Sequence, residues 1–439
     1  MRIELAYGRD GLVVDLPPDR TTVVEPRFVP GLPDEAEALR GALRNPIAHA
    51  PLLEWLRPDD TVGISICDIT RPMPSARVLP VLLAEVEKVV ARDRITIFNG
   101  TGTHRANTED EMRRMVGDHV FENYRIVTHD AREVGALVSV GRTASGNEVW
   151  LSAAFMACTA KILTGFIEPH FFAGFSGGPK MVMPALAGLD TIMRNHGHRN
   201  ISDPRATWGI TDGNPLWEEL RDGALMAGRA FNLNVTLNKH HEITGVFAGD
   251  LLTSHRTGCA FVRETAMQAV ARPFDVVVTT NSGYPLDLNV YQAIKGISAA
   301  ARVCRDGGAI VAAAECWDGI PDHGEYRRLL EEGANPEAIV ERVAAPGFRM
   351  ADQWQAQVQA QIQQRCAVHL YSSLPAETVR RTHLSPCADI AATVIKPVSS
   401  AAIPSPKPPV RTSSASFGAS PPFWSSSMER PWLVERGLV

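Results

Sequence analysis

The sequence predicts an α/β fold of two α/β domains with mainly parallel sheets and a candidate active site in the cleft between them. The chain has 439 residues, too many for one ordinary hydrophobic core. Short apolar runs typical of buried strands alternate with segments of helical periodicity. Several of these runs end in loops rich in glycine and polar residues, where parallel sheets usually bind ligands.

The composition is that of a globular protein, with 45% hydrophobic and 21% charged residues. The net charge of −5 argues against a nucleic-acid binder. The sequence contains no apolar run long enough to cross a membrane and no signal-peptide core, so we expect a cytoplasmic protein. The seven cysteines are scattered without a C-x-x-C pair, which is typical of reduced thiols and disfavours a thiolate zinc site.

The first predicted domain covers residues 1–270. A strand at 61–67 precedes a helix at 75–91, whose apolar residues recur at helical spacing after a serine cap. The pattern then predicts these further elements: strands at 95–98, 161–166 and 231–237, and a helix near 254–270.

The second predicted domain covers residues 271–396. Its predicted elements are strands at 274–279, 308–314 and 366–372 and a glutamine-rich helix at 353–365. Serine and proline dominate from about residue 397, so we predict that 397–439 is a disordered or loosely attached tail.

Polar loops follow three strands of the first domain. They are Asp68-Ile69-Thr70-Arg71-Pro72, the segment 99–105 with His104, and the stretch 165–180, GFIEPHFFAGFSGGPK. Because the carboxyl ends of parallel strands meet at one edge of a sheet, we expect these loops to converge on one cleft.

The stretch 165–180 has the most unusual composition of the three. It is not a P-loop, because it ends in Pro-Lys, and it is not a dinucleotide fingerprint, because its glycines read G-x-x-G-G. Its glycines would let the backbone pass close to a ligand. Lys180 could pair with a phosphate, act as a nucleophile or lie on the surface.

Other residues of the loops have alternative interpretations. Arg71 could grip a carboxylate or phosphate, or be a solvated arginine. His104 could be an acid/base group, or its ring could only form hydrogen bonds with the local backbone. His170 follows a proline and precedes two phenylalanines, an apolar setting that would lower its pKa and suit a general base, although a core histidine is the alternative.

A second set of candidates lies further along the chain. His196 and His198 are two residues apart, so on a helix they point in different directions, and only one is expected as a metal ligand. Tyr291 and Lys295 share a helix face with Gln292 between them, although an ordinary amphipathic helix has the same spacing. Two histidine bases on opposite sides of a substrate would suit racemisation.

The motifs occur in a specific order. They are D-x-T-R-P at 68–72, T-G-x-H-R at 101–105, E-x-H-F-F-A-G-F-S-G-G-x-K at 168–180, T-I-M-x-N-H at 191–196, G-Y-P-L-D-x-N-x-Y-Q-A-x-K-G at 283–296 and D-Q-W at 352–354. In this order they resemble the lactate racemase family, which uses the nickel-pincer nucleotide. The resemblance covers about residues 1–395.

The resemblance implies an isomerase, a racemase or epimerase of a 2-hydroxy acid such as lactate. The implied cofactor is Ni(II)-pyridinium-3,5-bisthiocarboxylate mononucleotide, the nickel-pincer nucleotide, attached covalently to Lys180. His196 would complete the nickel coordination, and His104 and His170 would be the catalytic acid/base pair. The α-hydride of the substrate would move to the cofactor and return on the other face.

The resemblance also implies contacts for the remaining residues. The implied cofactor contacts are Asp68, Ile69, Thr70, Arg71, Gln292 and Lys295. The implied substrate contacts are Arg71, Tyr291, Gln292, Lys295 and Trp354.

Three alternatives remain open. The same cofactor could serve an epimerase of a longer hydroxy acid or sugar acid. A metal hydrolase could use His170, His196 and His198, and a non-catalytic protein could simply bind an anion.

The expected partners are a small 2-hydroxy acid and the enzymes that make the cofactor, without nucleic acid or membrane. The pattern predicts no particular oligomeric state.

Overall fold

The computed structural model describes residues 1–321 and 324–395 and the backbone of a strand at 432–435. The strands are β1 (Arg2–Leu5), β2 (Leu12–Asp15), β3 (Thr21–Val24), β4 (Val62–Cys67), β5 (Ile95–Gly100), β6 (Arg125–Thr128), β7 (Leu137–Arg142), β8 (Glu148–Ser152), β9 (Ala160–Phe166), β10 (Pro169–His170), β11 (Gly174–Phe175), β12 (Ala230–Leu237), β13 (Ile243–Gly249), β14 (Phe274–Thr280), β15 (Cys304–Ala313), β16 (Ala367–Tyr371), β17 (Ser385–Pro386) and β18 (Trp432–Glu435).

Helices connect most of these strands. The α-helices are α1 (Glu35–Arg44), α2 (Leu52–Trp55), α3 (Ser75–Val86), α4 (Glu109–Val116), α5 (Asp118–Asn123), α6 (Ala153–Met156), α7 (Leu189–Asn195), α8 (His198–Ile201), α9 (Pro215–Leu225), α10 (Leu251–Ala266), α11 (Val290–Ala300), α12 (Tyr326–Glu332), α13 (Pro336–Ala344), α14 (Gln353–Gln363), α15 (Ala376–Arg381) and α16 (Ile390–Ile395). None of the helices in the described ranges is long and apolar enough to cross a membrane.

The first domain is built on a six-stranded sheet. Its strand order is β13-β12-β9-β4-β5-β6. All neighbours pair in parallel except β12 and β13, which are antiparallel. Every residue of β4 and β9 is buried, as expected for central strands covered on both faces. The prediction of an α/β domain with a mainly parallel sheet is confirmed.

The second domain is built on a six-stranded sheet in the order β17-β16-β15-β14-β18-β3. All of its pairs are parallel. The hairpin of β1 and β2 packs on this sheet, because Ile3, Leu5 and Val14 share a buried cluster with Val276 and Val311. The first 24 residues therefore lie with the second domain in space, whereas the sequence analysis placed them in the first.

Side-chain caps explain several helix starts. Asn214 accepts hydrogen bonds from the backbone N–H groups that begin α9, and Asn289 does the same for α11. Thr108 forms a capping box with Glu111 at the start of α4. These caps pair N–H groups that have no partner within the helix.

Several predicted element bounds differ from the structure, among them the end of α3, which is Val86 and not residue 91. The residue Ser75 does not cap α3: the cap position is Pro74, which makes no side-chain hydrogen bond, and Ser75 is the first helical residue. Strand β15 begins at Cys304, four residues before the predicted start, because a register irregularity near Phe274 lets it pair further with β14.

The predicted tail 397–439 falls mostly outside the described residues. Its described part, Trp432–Glu435, forms strand β18 between β14 and β3. These four residues are thus paired in a sheet, whereas the sequence analysis expects a disordered or loosely attached tail. Their sequence, WLVE, is rich in residues that favour strands.

Candidate active site

A cavity of about 120 Å³ lies where β4, β5 and β9 end. The three polar loops that follow these strands line it, together with residues of α11 and α14 from the second domain. The expected convergence of the loops on a cleft between the domains is confirmed. The predicted site residues in its lining are Asp68, Thr70, Arg71, His104, His170, Lys180, His196, Tyr291, Lys295 and Trp354.

His104 is oriented by Asp68. The Nδ1 atom of His104 lies 2.7 Å from Oδ2 of Asp68, and the Thr70 hydroxyl donates to Oδ1 of the same carboxylate over 2.7 Å. Burial alone would raise the pKa of Asp68, but His104 and Arg71 lower it below its ordinary value. A carboxylate at Nδ1 places the proton of a neutral imidazole there. Nε2 of His104 is then free to accept a proton.

His170 lies on strand β10 and is only 6% exposed. Its Nδ1 accepts a hydrogen bond from the backbone N–H of Ala173 over 3.2 Å, and its ring stacks on Phe171 with 4.9 Å between centroids. Burial, and then the charge of Lys180, hold the pKa of His170 well below its ordinary value. The ring is therefore neutral at neutral pH, and the bond to Nδ1 places its proton on Nε2.

Lys180 lies in a 3-10 turn, Gly178–Met181. Its Nζ lies 5.7 Å from the ring centroid of Phe172, and no carboxylate of the described residues forms an ion pair with it. Burial, and then the charges of Arg71 and Lys295, lower its pKa to about 7. A substantial fraction of this amine is therefore uncharged at neutral pH and able to act as a nucleophile.

His196 follows the last residue of α7 and faces aromatic rings. Its ring makes T-shaped contacts with the rings of Phe172 and Trp354, and the distance between ring centroids is 5.0 Å in each pair. Burial lowers its pKa to about 3, so the imidazole is neutral at neutral pH. Its Nδ1 is buried without a hydrogen-bond partner within the described part of the chain, which is unusual for a buried polar atom.

Cations outnumber anions around the cavity. Arg71 makes a long ion pair with Glu168, 3.6 Å from Nε to Oε1. Burial, and then the charge of Arg71, lower the pKa of Lys295 to about 7. In residues 1–321 and 324–395, Lys295 has no carboxylate in ion-pair contact. Together with Lys180, these side chains form a site that would bind an anion.

Trp354 and Tyr291 close the cavity from the second domain. The indole Nε1 of Trp354 donates to the Tyr291 hydroxyl oxygen over 3.2 Å. Burial, and then the nearby Asp352 carboxylate, raise the pKa of Tyr291 well above its ordinary value, so its hydroxyl stays protonated.

Three residues named in the sequence analysis lie away from this lining. Ile69 lines a wider cavity of about 750 Å³ between the domains, and Gln292 lines a smaller adjoining cavity. His198 begins α8, where its ring lies 3.4 Å from the Ser202 hydroxyl. Within the described ranges no three His, Cys, Asp or Glu side chains are placed to hold a metal.

Sequence reasoning missed two residues of the site. Glu168 is the ion-pair partner of Arg71, and its only signal was its place two residues before His170. Phe172 contacts His170, His196 and Lys180. The run of phenylalanines after His170 is the available signal, and by itself it indicates only an apolar setting.

The glycines of the stretch 165–180 serve the protein's own packing. A Cβ on Gly178 would lie 2.5 Å from the ring of His255, and one on Gly174 would lie 2.3 Å from the carbonyl oxygen of Ile210. Both have positive φ. The expected close approach of backbone is present, but its partners are neighbouring segments of the chain.

Comparisons with known proteins identify the family of the chain. Residues 7–209 match the model of the lactate racemase N-terminal domain, and residues 269–401 match that of the C-terminal domain. A lactate racemase from Thermoanaerobacterium thermosaccharolyticum is 36% identical over 365 residues, 82% of this chain and 85% of the relative. One from Lactiplantibacillus plantarum is 36% identical over 329 residues, 75% of this chain and 77% of the relative.

Solved structures show the same fold. The lactate racemase apoprotein from T. thermosaccharolyticum superposes with a TM-score of 0.84 at 34% identity, covering 91% of this chain and 96% of that one. A Thermotoga maritima protein gives a TM-score of 0.65 at 18% identity, over 82% and 93% of the two chains, a likeness of fold alone. The chain belongs to the lactate racemase family of isomerases.

Proposed function

We propose that this protein racemises or epimerises a small 2-hydroxy acid, lactate or a related one, with a nickel-pincer nucleotide attached to Lys180. One observation carries the proposal. Lys180, His196 and the histidines His104 and His170 line the same cavity. The names of the two bacterial relatives support lactate as a candidate substrate.

The residues present fit this cofactor. Lys180 has a pKa near 7, as a lysine that forms a covalent bond through its amine requires. His196 offers a neutral imidazole and has a buried nitrogen without a partner in the described ranges. Imidazole is a suitable ligand for nickel(II). When bound, the nucleotide would accept the C2 hydride of the substrate and return it.

The chain itself binds the substrate and moves the hydroxyl proton. Arg71 and Lys295 would hold the carboxylate, because both are cationic groups at the cavity wall. His104, with Asp68 at Nδ1, would accept the hydroxyl proton of one enantiomer through Nε2. His170, in its protonated imidazolium form, would donate a proton from Nε2 to the oxygen as the other enantiomer forms, and would be left neutral. In the reverse direction the two histidines exchange roles.

The experiment is mass spectrometry of the Lys180 peptide. The protein would be expressed with the enzymes that make the nickel-pincer nucleotide, digested and sequenced by fragmentation. We expect a nucleotide-sized adduct on Lys180 and none in the Lys180→Arg variant. The T. thermosaccharolyticum lactate racemase, expressed in the same way, controls for cofactor supply. An adduct on that relative but never on this protein would refute the proposal.

A further inference from the structure

Two buried polar side chains outside the cavity contact the segment that leads to Lys180, residues 176–179. They are Asn234 on β12 and His255 on α10, which are 0% and 1% exposed. Neither belongs to the cavity lining that contains Lys180, and the proposed function gives neither a role. Both reach the segment through its backbone.

Asn234 binds the segment through its side-chain oxygen. Oδ1 accepts a hydrogen bond from the backbone N–H of Gly178 over 2.7 Å, and this donor defines which way the amide is turned. The strand of Asn234 is paired on both sides, with Asn234 opposite Gly165 of β9. Nδ2 of Asn234 has no hydrogen-bond partner in the described part of the chain. The contact with the segment therefore depends on one acceptor atom on a firmly held strand.

His255 binds the same segment two residues earlier. Its Nε2 lies 2.9 Å from the carbonyl oxygen of Ser176, and burial lowers its pKa to about 4. Because a carbonyl oxygen only accepts, the neutral ring carries its proton on Nε2 and donates it to this bond. The ring also fills the space beside Gly178, where an added Cβ would lie 2.5 Å from it.

The segment has two further hydrogen bonds near Lys180. The backbone N–H of Lys180 donates to the Gly177 carbonyl over 3.1 Å, and the Ser176 hydroxyl donates to the Phe166 carbonyl over 2.7 Å. Gly177 and Gly178 would otherwise give this backbone wide conformational freedom. The bonds from Asn234 and His255 therefore restrict the part of the chain whose conformation decides where the Lys180 side chain lies.

We propose that Asn234 and His255 are positioning residues for Lys180, which fix the backbone of 176–179 so that its amine stays in the cavity and can bond to the cofactor. The inference rests on the proposed function, because it assumes attachment at Lys180. The competing explanation is general stability, in which any buried polar side chain of β12 would matter equally.

Asn232 provides a matched control on the same strand. It lies two residues before Asn234, on the same face of β12, and it is equally buried. Its amide donates to the Ser254 hydroxyl over 2.8 Å instead of binding the segment. Asn232→Leu and Asn234→Leu therefore exchange the same buried amide for an apolar group of similar size, and only Asn234→Leu removes the hydrogen bond to Gly178.

The first measurement is amide hydrogen exchange of the unloaded protein, read by mass spectrometry on peptides that contain 176–181. We expect Asn234→Leu to accelerate this exchange about tenfold or more, because the N–H of Gly178 loses its acceptor. His255→Phe, which keeps a ring beside Gly178 without the donor, should accelerate it as well. Asn234→Asp keeps an acceptor oxygen, so it should stay within about threefold of the unmodified protein, as should Asn232→Leu.

The second measurement is the fraction of Lys180 that carries a nucleotide-sized adduct after expression with the cofactor-making enzymes. Per folded protein, we expect this fraction to fall about tenfold in Asn234→Leu and His255→Phe, because the amine is no longer held in place. Asn234→Asp should restore the adduct, and Asn232→Leu should leave it unchanged. If Asn234→Leu does not fold, His255→Phe decides the outcome.

Two results would overturn the positioning role. One is an unchanged adduct fraction in the variants whose exchange is accelerated, and the other is an equal loss of adduct in Asn232→Leu and Asn234→Leu. Absence of the adduct from the unmodified protein, when the T. thermosaccharolyticum relative carries it, would instead overturn the proposed function and attachment at Lys180 with it. Hydrogen exchange of the unloaded protein would still decide whether Asn234 and His255 fix the segment.

Discussion

At the scale of single residues, the two histidines have complementary hydrogen bonds. Asp68 accepts from Nδ1 of His104, whereas Nδ1 of His170 accepts from the backbone N–H of Ala173. In their neutral forms one ring therefore presents a lone pair at Nε2 and the other presents an N–H group. The lone pair suits His104 to accept a proton, and the N–H group suits His170 to hydrogen-bond to the oxygen of a bound acid.

Replacement of either histidine tests these roles. We expect His104→Gln and His170→Gln each to lower kcat about 10²- to 10⁴-fold, the usual contribution of an acid/base group, while the adduct on Lys180 still forms. The measurement is racemisation by polarimetry or chiral chromatography on loaded protein. His198→Gln is the matched control, because His198 lies outside the cavity lining, and it should retain kcat within about threefold. Full activity in both His104→Gln and His170→Gln would contradict the acid/base roles and would leave these two histidines as anion-binding residues.

The pKa of Lys180 gives a pH prediction. Burial and nearby cations lower this pKa from 10.5 to about 7. The fraction of Lys180 in the reactive neutral form therefore increases as the pH rises through 7 and is nearly complete by pH 8. We expect acylation of Lys180 in the unloaded protein, followed by peptide mass spectrometry, to reach half its maximum near pH 7. Lys295 also has a pKa of about 7, so we expect its acylation to reach half its maximum at the same pH.

The control is the same labelling in denaturant, where the half-maximum should move to about pH 10. A folded protein whose Lys180 labelling keeps rising without a plateau to pH 10 would contradict the lowered pKa.

Most residues of the cavity could be identified from the sequence, and the reason is spacing. Asp68, His104 and Lys180 each stand a few residues from a strand end or in a glycine-rich segment, and parallel strands bring such positions together. Glu168 and Phe172 could not be identified, because their roles depend on which side chains face them across the cavity.

At the scale of elements, the hairpin of β10 and β11 holds His170. Residues His170 and Gly174 are paired in it, and Gly174 lets the carbonyl of Ile210 approach closely. Its φ is +74°, and a Cβ there would lie 2.3 Å from that oxygen. The hairpin thus depends on a glycine for both backbone conformation and space.

We expect Gly174→Ala to reduce the free energy of unfolding by about 2–4 kcal/mol, combining overpacking with an unfavourable φ. Urea unfolding followed by circular dichroism measures it. Gly146→Ala is the control: its φ is +84° and nothing lies within 4 Å of an added Cβ. It should lose only about 1–2 kcal/mol. Equal losses in the two variants would show that the close contact at Gly174 has no energetic weight.

Periodicity predicted the central elements well and their ends less well. The strands β4, β9 and β14 lie within about one residue of the predicted ranges, because buried central strands form continuous apolar runs. The short strands β10 and β11 were not predicted. A strand of two residues is too short to show an alternating sequence pattern, so its formation depends on tertiary contacts.

At the scale of the whole molecule, the site requires both domains. Lys295 and Trp354 enter the cavity from the second domain, and Gln357 on α14 donates to the Ser202 hydroxyl of the first over 2.8 Å. The sequence predicted two domains with a cleft between them. It did not predict that the first 24 residues pack on the second domain, because a short hairpin gives no signal of the sheet that covers it.

We propose hydride transfer at C2 by the cofactor-loaded protein, and isotope retention is the most direct measurement of it. Lactate deuterated at C2 would be converted in ordinary water and the product enantiomer analysed by mass spectrometry. Hydride transfer without exchange predicts that the product keeps its deuterium. Replacement of deuterium by solvent hydrogen at the rate of racemisation would mean proton abstraction at C2 and would rule out hydride transfer.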